Sequence, residues 1–147
     1  KYNAGDSSVM AISLKLNDKD NTRKAFGHSD RSRVSGARAE DLAARFLERQ
    51  GLVVLARNYR CRGGEVDLIC RHGRGLVFVE VRFRRSASHG GAAASIVPSK
   101  QSRLILAARH YLAGHAHGDC DCRFDCLVLD ALSESAIEWI RDAFDAA

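Results

Sequence analysis

The stretch GEVDLICRHGRGLVFVEVRFR, residues 64–84, places four charged side chains where apolar ones would be ordinary: Glu65 and Asp67 early, Glu80 and Arg82 late. Glu80 stands among Val77, Phe78, Val79 and Val81, a setting that penalises a carboxylate unless something positive accompanies it. Two apolar runs separated by His72-Gly73-Arg74-Gly75 predict a β-hairpin with a two-residue turn. With that turn Asp67 falls opposite Glu80, and Glu65 opposite Arg82. Side chains alternate along a strand, so all four point to one side. Val66, Leu68, Cys70, Val77, Val79, Val81 and Phe83 then form a plain core surface on the other.

Opposed side chains on neighbouring strands have Cβ atoms roughly 5 Å apart. Two bare carboxylates at about that distance repel by roughly 3 kcal/mol at an effective dielectric near 20. The relief is a shared proton, a neighbouring arginine or a bound divalent cation. Carboxylate oxygens suit Mg²⁺ or Mn²⁺, which keep several waters and bind phosphates in their remaining positions. Such an ion activates water and stabilises charge developing on a phosphoryl oxygen. The plainer arrangement is a structural network, with Arg82 paired to Glu65 and leaning towards Asp67 and Glu80.

The elements that must position this hairpin can be read around it. A chain of 147 residues suits one domain with a true core. Residues 1–34 mix polar and charged types without a sustained period and are expected to be a flexible tail, leaving 35–147 as the domain. Ala39, Leu42, Ala43, Phe46 and Leu47 recur with helical spacing, with Ser35 as the expected N-cap and Gly51 as the stop. LVVLARNYR (52–60) has strand composition, and Gly63-Gly64 break before the hairpin. SASHGGAAAS (86–95) reads as a flexible loop. Pro98 and Ser99 open a second helix to about Ala113, with Leu104, Ala107, Ala108, Tyr111 and Leu112 on its buried side. RFDCLVLD (123–130) is a strand, and SAIEWIRDAF (135–144) a short last element, helix or strand. The fold class is α/β: a mixed central sheet flanked by helices in the order α-β-β-β-α-β.

Charge is distributed unevenly. Residues 57–85 hold eight arginines against three acids, whereas 119–147 hold eight acids against two arginines. The basic middle points to a polyanion. Lys100, Gln101 and Arg103, in the first turn of the second helix, could hold a phosphate with the main-chain N–H groups there. Arg84 and Arg85 could grip a duplex backbone, and Arg60 and Arg62 extend the basic stretch. Tyr59, among these arginines, could stack on an unpaired base, though a core aromatic is the simpler reading. Cys120, Cys122 and Cys126 with His115 or His117 offer zinc-ligand types, but C-x-C-x₃-C lacks the usual knuckle spacing. Five cysteines without a framework spacing favour reduced thiols and a cytoplasmic protein. No apolar run approaches the ~18 residues of a membrane span.

GEVDLI followed by LVFVEVRFR resembles the YraN (UPF0102) family, and its wider pattern is similar to the PD-(D/E)XK superfamily of restriction-endonuclease-like and Holliday-junction-resolvase-like nucleases. The resemblance runs from about Ser35 to Asp130 through an AEDLAARFL helix, the acidic hairpin, the PSKQSRL helix start and the RFD strand. It implies a restriction-endonuclease-like fold and a metal-dependent endonuclease acting on structured or branched DNA, with RNA also open and a homodimer allowed. Asp67 is then the central metal-binding acid, Glu80 the second, and Glu40 the helical glutamate. Read from the residues alone, Glu40 is equally a first-turn carboxylate favoured by the helix dipole. Arg82 takes the place most such nucleases give to lysine. An arginine stays charged, so Arg82 can orient water or stabilise phosphoryl charge but not accept a proton. A fold does not guarantee activity, so a binding module without cleavage and a protein-interaction scaffold stand beside this reading.

Overall fold

The computed structural model describes residues 30–84, 96–115 and 119–146. The expectations for residues 1–29, Arg85, the 86–95 segment and His117 lie outside them. The chain divides into two units, Lys1–Ser35 and Gly36–Ala147, and the second contains the whole sheet. In chain order the elements are helix α1 (30–49), β1 (Val53–Cys61), β2 (Gly64–His72), β3 (Gly75–Phe83), helix α2 (Pro98–Gly114), β4 (Cys122–Leu129), a 3₁₀ turn (Glu134–Ala136) and β5 (Ile137–Phe144). No helix among the described residues is long and apolar enough to cross a membrane.

The five strands lie in the order β1-β2-β3-β4-β5. β3 and β4 are parallel and every other pair is antiparallel, because only β3 and β4 are joined through a helix, the connection that parallel neighbours need. This is the α/β mixed sheet expected. Alternate side chains meet different helices. Ala39, Ala43, Ala44 and Leu47 of α1 pack with Leu68, Cys70, Val77, Val79, Leu127 and Leu129. Leu104, Ala107, Ala108 and Tyr111 of α2 pack with Ile69, Leu76, Phe78 and Phe124. Val66 belongs to the α2 cluster, not to the α1 side where strict alternation puts it.

Two boundaries differ from expectation. Helix α1 starts at residue 30, ahead of the expected Ser35 cap. Ser35 instead donates its hydroxyl to the Arg31 carbonyl one turn back, at 2.8 Å, as serines inside helices do. The last element is a strand. Asp125, 1% exposed, fixes it by accepting the Trp139 indole N–H at 2.9 Å and the Asp142 amide at 3.0 Å. Asp142 adopts φ 52, a turn conformation that aspartate tolerates better than most residues.

Gly64 is not a break but the first residue of β2. A Cβ there would stand 2.8 Å from both the Ala107 nitrogen and the Arg103 carbonyl oxygen, so β2 starts pressed against the backbone of α2. That close approach carries the next residue, Glu65, to the first turns of α2.

Candidate active site

The hairpin has the expected register. Leu68 pairs with Val79, Ile69 with Phe78, Cys70 with Val77, Arg71 with Leu76 and His72 with Gly75. Gly73, at φ 60, supplies the positive φ that a two-residue hairpin turn demands. Beyond Leu68 and Val79 the ladder stops, and the Val81 amide donates at 2.8 Å to Asp67 Oδ2. A side-chain carboxylate thus replaces a main-chain acceptor where the two strands part. This fork is where Asp67 and Glu80 meet, on the side that faces α2.

The pair carries the electrostatic load that the sequence implied. Burial, reinforced by the charge of Glu80 and a hydrogen bond shared with it, pushes the Asp67 carboxyl up to about 7 against the opposing effect of the Val81 amide and Lys100. Glu80 is only 4% exposed, and its Oε2 is buried without a hydrogen-bond partner. Its Oε1 faces Lys100 Nζ at 2.9 Å. The positive partner therefore comes from α2, not from the hairpin. Glu65 also turns to α2, with Lys100 Nζ at 3.8 Å and Arg103 Nη2 at 3.4 Å.

Arg82 does not form the network expected of it: its Nη1 is buried and lacks a hydrogen-bond partner. With Glu80, Ile96, Val97 and Lys100 it lines a small cavity of about 90 Å³. Lys100 is held as an ammonium. Partial burial alone would lower it, but the Glu80 hydrogen bond and the charges of Glu80, Asp67 and Glu65 raise it on balance.

Glu40 approaches from α1. Its Oε2 accepts the Asn58 side-chain amide at 3.1 Å. Burial raises its carboxyl, Asn58 offsets part of this, and the charge of Asp67 adds to the rise. Asn58 sits in β1 between residues paired with Leu68 and Val66, which puts it across from Asp67, and it adopts φ 49. Sequence reasoning passed over it. The available signal was an asparagine inside a strand, one of the few residues that enter the left-handed region readily.

Among the described residues no three His, Cys, Asp or Glu side chains gather closely enough to hold an ion by themselves. Glu40 therefore does not close a ligand set with Asp67 and Glu80, and Cys120, Cys122, Cys126 and His115 form no zinc centre. What is present is a two-carboxylate oxygen donor set with one buried oxygen unpartnered. Mg²⁺ is commonly held by one or two carboxylates with waters and phosphate completing its shell, so these residues fit a hydrated hard cation.

The remaining predicted contacts are scattered. Gln101 donates its amide to the Ile96 carbonyl at 2.8 Å, closing the segment before α2. Arg60, Arg62 and Arg103 are exposed and Arg84 is half-buried. Tyr59 is a core aromatic, edge-on to Tyr111 with centroids 5.2 Å apart and bonded through its hydroxyl to His110 Nδ1 at 2.6 Å.

A mixed sheet flanked by helices, with a forked hairpin presenting two acids, defines an α/β protein of restriction-endonuclease-like fold. Residues 39–129 match the uncharacterised protein family UPF0102, and the chain belongs to that family. It is 56% identical over 118 residues to a UPF0102 protein of Dechloromonas aromatica, covering 80% of this chain and 94% of that one. It is 59% identical over 110 residues to the UPF0102 protein NE0719 of Nitrosomonas europaea, covering 75% and 92%. A UPF0102 protein of Aeromonas hydrophila is 50% identical over 111 residues, covering 74% and 83%.

Proposed function

We propose that this protein is a divalent-metal-dependent endonuclease that hydrolyses phosphodiester bonds in structured or branched DNA. The observation that carries the reading is the fork itself. Two acids meet there, one held near neutrality by burial and its partner, the other buried with an oxygen unpartnered. A buried acceptor left without a fixed donor costs about 1–3 kcal/mol, and a bound cation would relieve that cost.

Asp67 and Glu80 would hold Mg²⁺ or Mn²⁺, which supplies an activated water and neutralises phosphoryl charge when bound. Asp67 is oriented by the Val81 amide, so its metal-facing oxygen is fixed by the backbone. Arg82 and Lys100 line the cavity beside Glu80 and would steady the phosphate, and neither is placed to accept a proton. Glu40, tethered by Asn58, would act on the ion through a water. Arg60, Arg62, Arg84, Arg85 and Arg103 would supply the phosphate-binding surface, with Gln101 holding the start of α2. The five thiols suit the cytoplasm, where they stay reduced.

One observation favours a second reading, a nucleic-acid-binding module without cleavage: Lys100 already neutralises Glu80. Titrating Mn²⁺ or Mg²⁺ with branched and linear DNA, for wild type and Asp67→Ala, separates them. Cleavage abolished in the variant supports the endonuclease. Salt-sensitive binding in both proteins with cleavage in neither leaves only the binding module.

A further inference from the structure

Among the described residues two acids are buried, and they are satisfied very differently. Asp125 accepts from Arg123 at 3.0 and 3.2 Å, from the Trp139 indole at 2.9 Å and from the Asp142 amide at 3.0 Å, so both of its oxygens are engaged. Glu80 has one oxygen on Lys100, leaves its Oε2 without a fixed donor and otherwise shares only a proton with the Asp67 carboxyl. Asp125 belongs to the scaffold. Glu80 is built to exchange its partner.

Lys100 has the properties of a partner that can leave. It stands in the first turn of α2, its side chain is 34% exposed, and an ammonium on a four-carbon stem reorients easily. A second station is within reach, because Glu65 Oε1 lies 3.8 Å from the same Nζ. Glu65 is also served by Arg103, so it neither requires the lysine nor repels it.

We propose that Lys100 is a tethered counter-cation holding the place of the divalent ion: its ammonium and the ion compete for Glu80, and loading the site requires the lysine to turn away. This rests on the metal-binding reading above. Without an ion, Lys100 keeps the buried Glu80 charge compensated. When an ion takes the Glu80 oxygens, the displaced ammonium is released at the mouth of the cavity, beside the start of α2, where a phosphate oxygen would meet it. Metal loading and anion binding are then coupled through one side chain, and the coupling is reciprocal.

The test is a Mn²⁺ binding isotherm on metal-depleted full-length protein at low salt, comparing wild type with Lys100→Met, Lys100→Gln and Lys100→Arg. Removing the competing charge should tighten Mn²⁺ binding by about tenfold, equivalent to about 1.4 kcal/mol, in the Met and Gln variants. Gln keeps a donor to Glu80, so it reports even if Met folds poorly. Arg keeps the charge and should stay near wild type. Thermal melting gives an independent reading: without metal Lys100→Met should melt below wild type, and saturating Mn²⁺ should raise its midpoint more. Wild-type binding that is unchanged or weakened in both neutral variants overturns the role of Lys100 while leaving the metal site standing. No Mn²⁺ binding by any of the proteins removes the metal site, and this proposal with it.

Discussion

Val81 donates its amide to the carboxylate of Asp67 at 2.8 Å, at the step where the hairpin ladder ends. One bond thereby does two things. It satisfies a main-chain donor that the parting strands would strand, and it aims a carboxylate into the gap next to Glu80. The placing of Asp67 beside Glu80 is a consequence of the fork, and Asp67 bridges the two strands across it.

Asp67 gives a pH dependence whose sign can be worked out. Its carboxyl is raised in the folded protein to about 7 from an ordinary value near 4 in the unfolded chain. The folded state therefore binds the proton more tightly, and the stability linked to it is full below pH ~4 and lost as pH rises towards ~7. Asp67→Asn mimics the protonated form and keeps an acceptor for the Val81 amide. Thermal or urea unfolding should show the variant more stable than wild type at pH 8, on the order of 1–3 kcal/mol. The difference should vanish near pH 4. A variant less stable than wild type at pH 8 would show that ionised Asp67 stabilises the fold.

Asp125 separates scaffold from site. Replacing it by alanine leaves Arg123, the Trp139 indole and the Asp142 amide without their shared acceptor. Breaking a buried charged network of this kind costs about 3–5 kcal/mol. Chemical denaturation of Asp125→Ala should show a loss of that size, and near-ultraviolet circular dichroism should report a changed Trp139 environment. A loss under about 1 kcal/mol would mean β5 is held by its ladder alone.

Gly64 tests the docking of β2 on α2. A methyl group at this position would meet two backbone atoms of α2 at 2.8 Å, and backbone cannot swing aside as a side chain can. Gly64→Ala should lower stability by about 1–3 kcal/mol. Unchanged stability in a denaturant titration would show that the helix yields without cost.

Much of this could be read from the chain, for identifiable reasons. The hairpin register followed from Gly73 and from alternation, two local signals that agree. The helical face of Ala39, Ala43 and Leu47 and that of Leu104, Ala107, Ala108 and Tyr111 followed from period alone. Lys100 as the partner of Glu80 did not, because the two are joined only through the β3–α2 connection and the tertiary fold decides which cation arrives. Arg82, the near neighbour on the same strand, was the natural guess. Asn58 and Gly64 were missed for a related reason. The first has its meaning in Glu40, the second in the backbone of α2, and neither partner is adjacent in sequence. The start of α1 was misplaced because Ser35 has the type of a cap but spends its hydroxyl on Arg31 within the helix.

The central claim is that Asp67 and Glu80 together hold one divalent cation. Isothermal titration of Mn²⁺ at pH 8 into wild type and Asp67→Asn tests it most directly, since the variant is expected to fold at least as well. One Mn²⁺ per chain bound by wild type and lost in Asp67→Asn is the predicted result. Binding of equal strength in both proteins would contradict it.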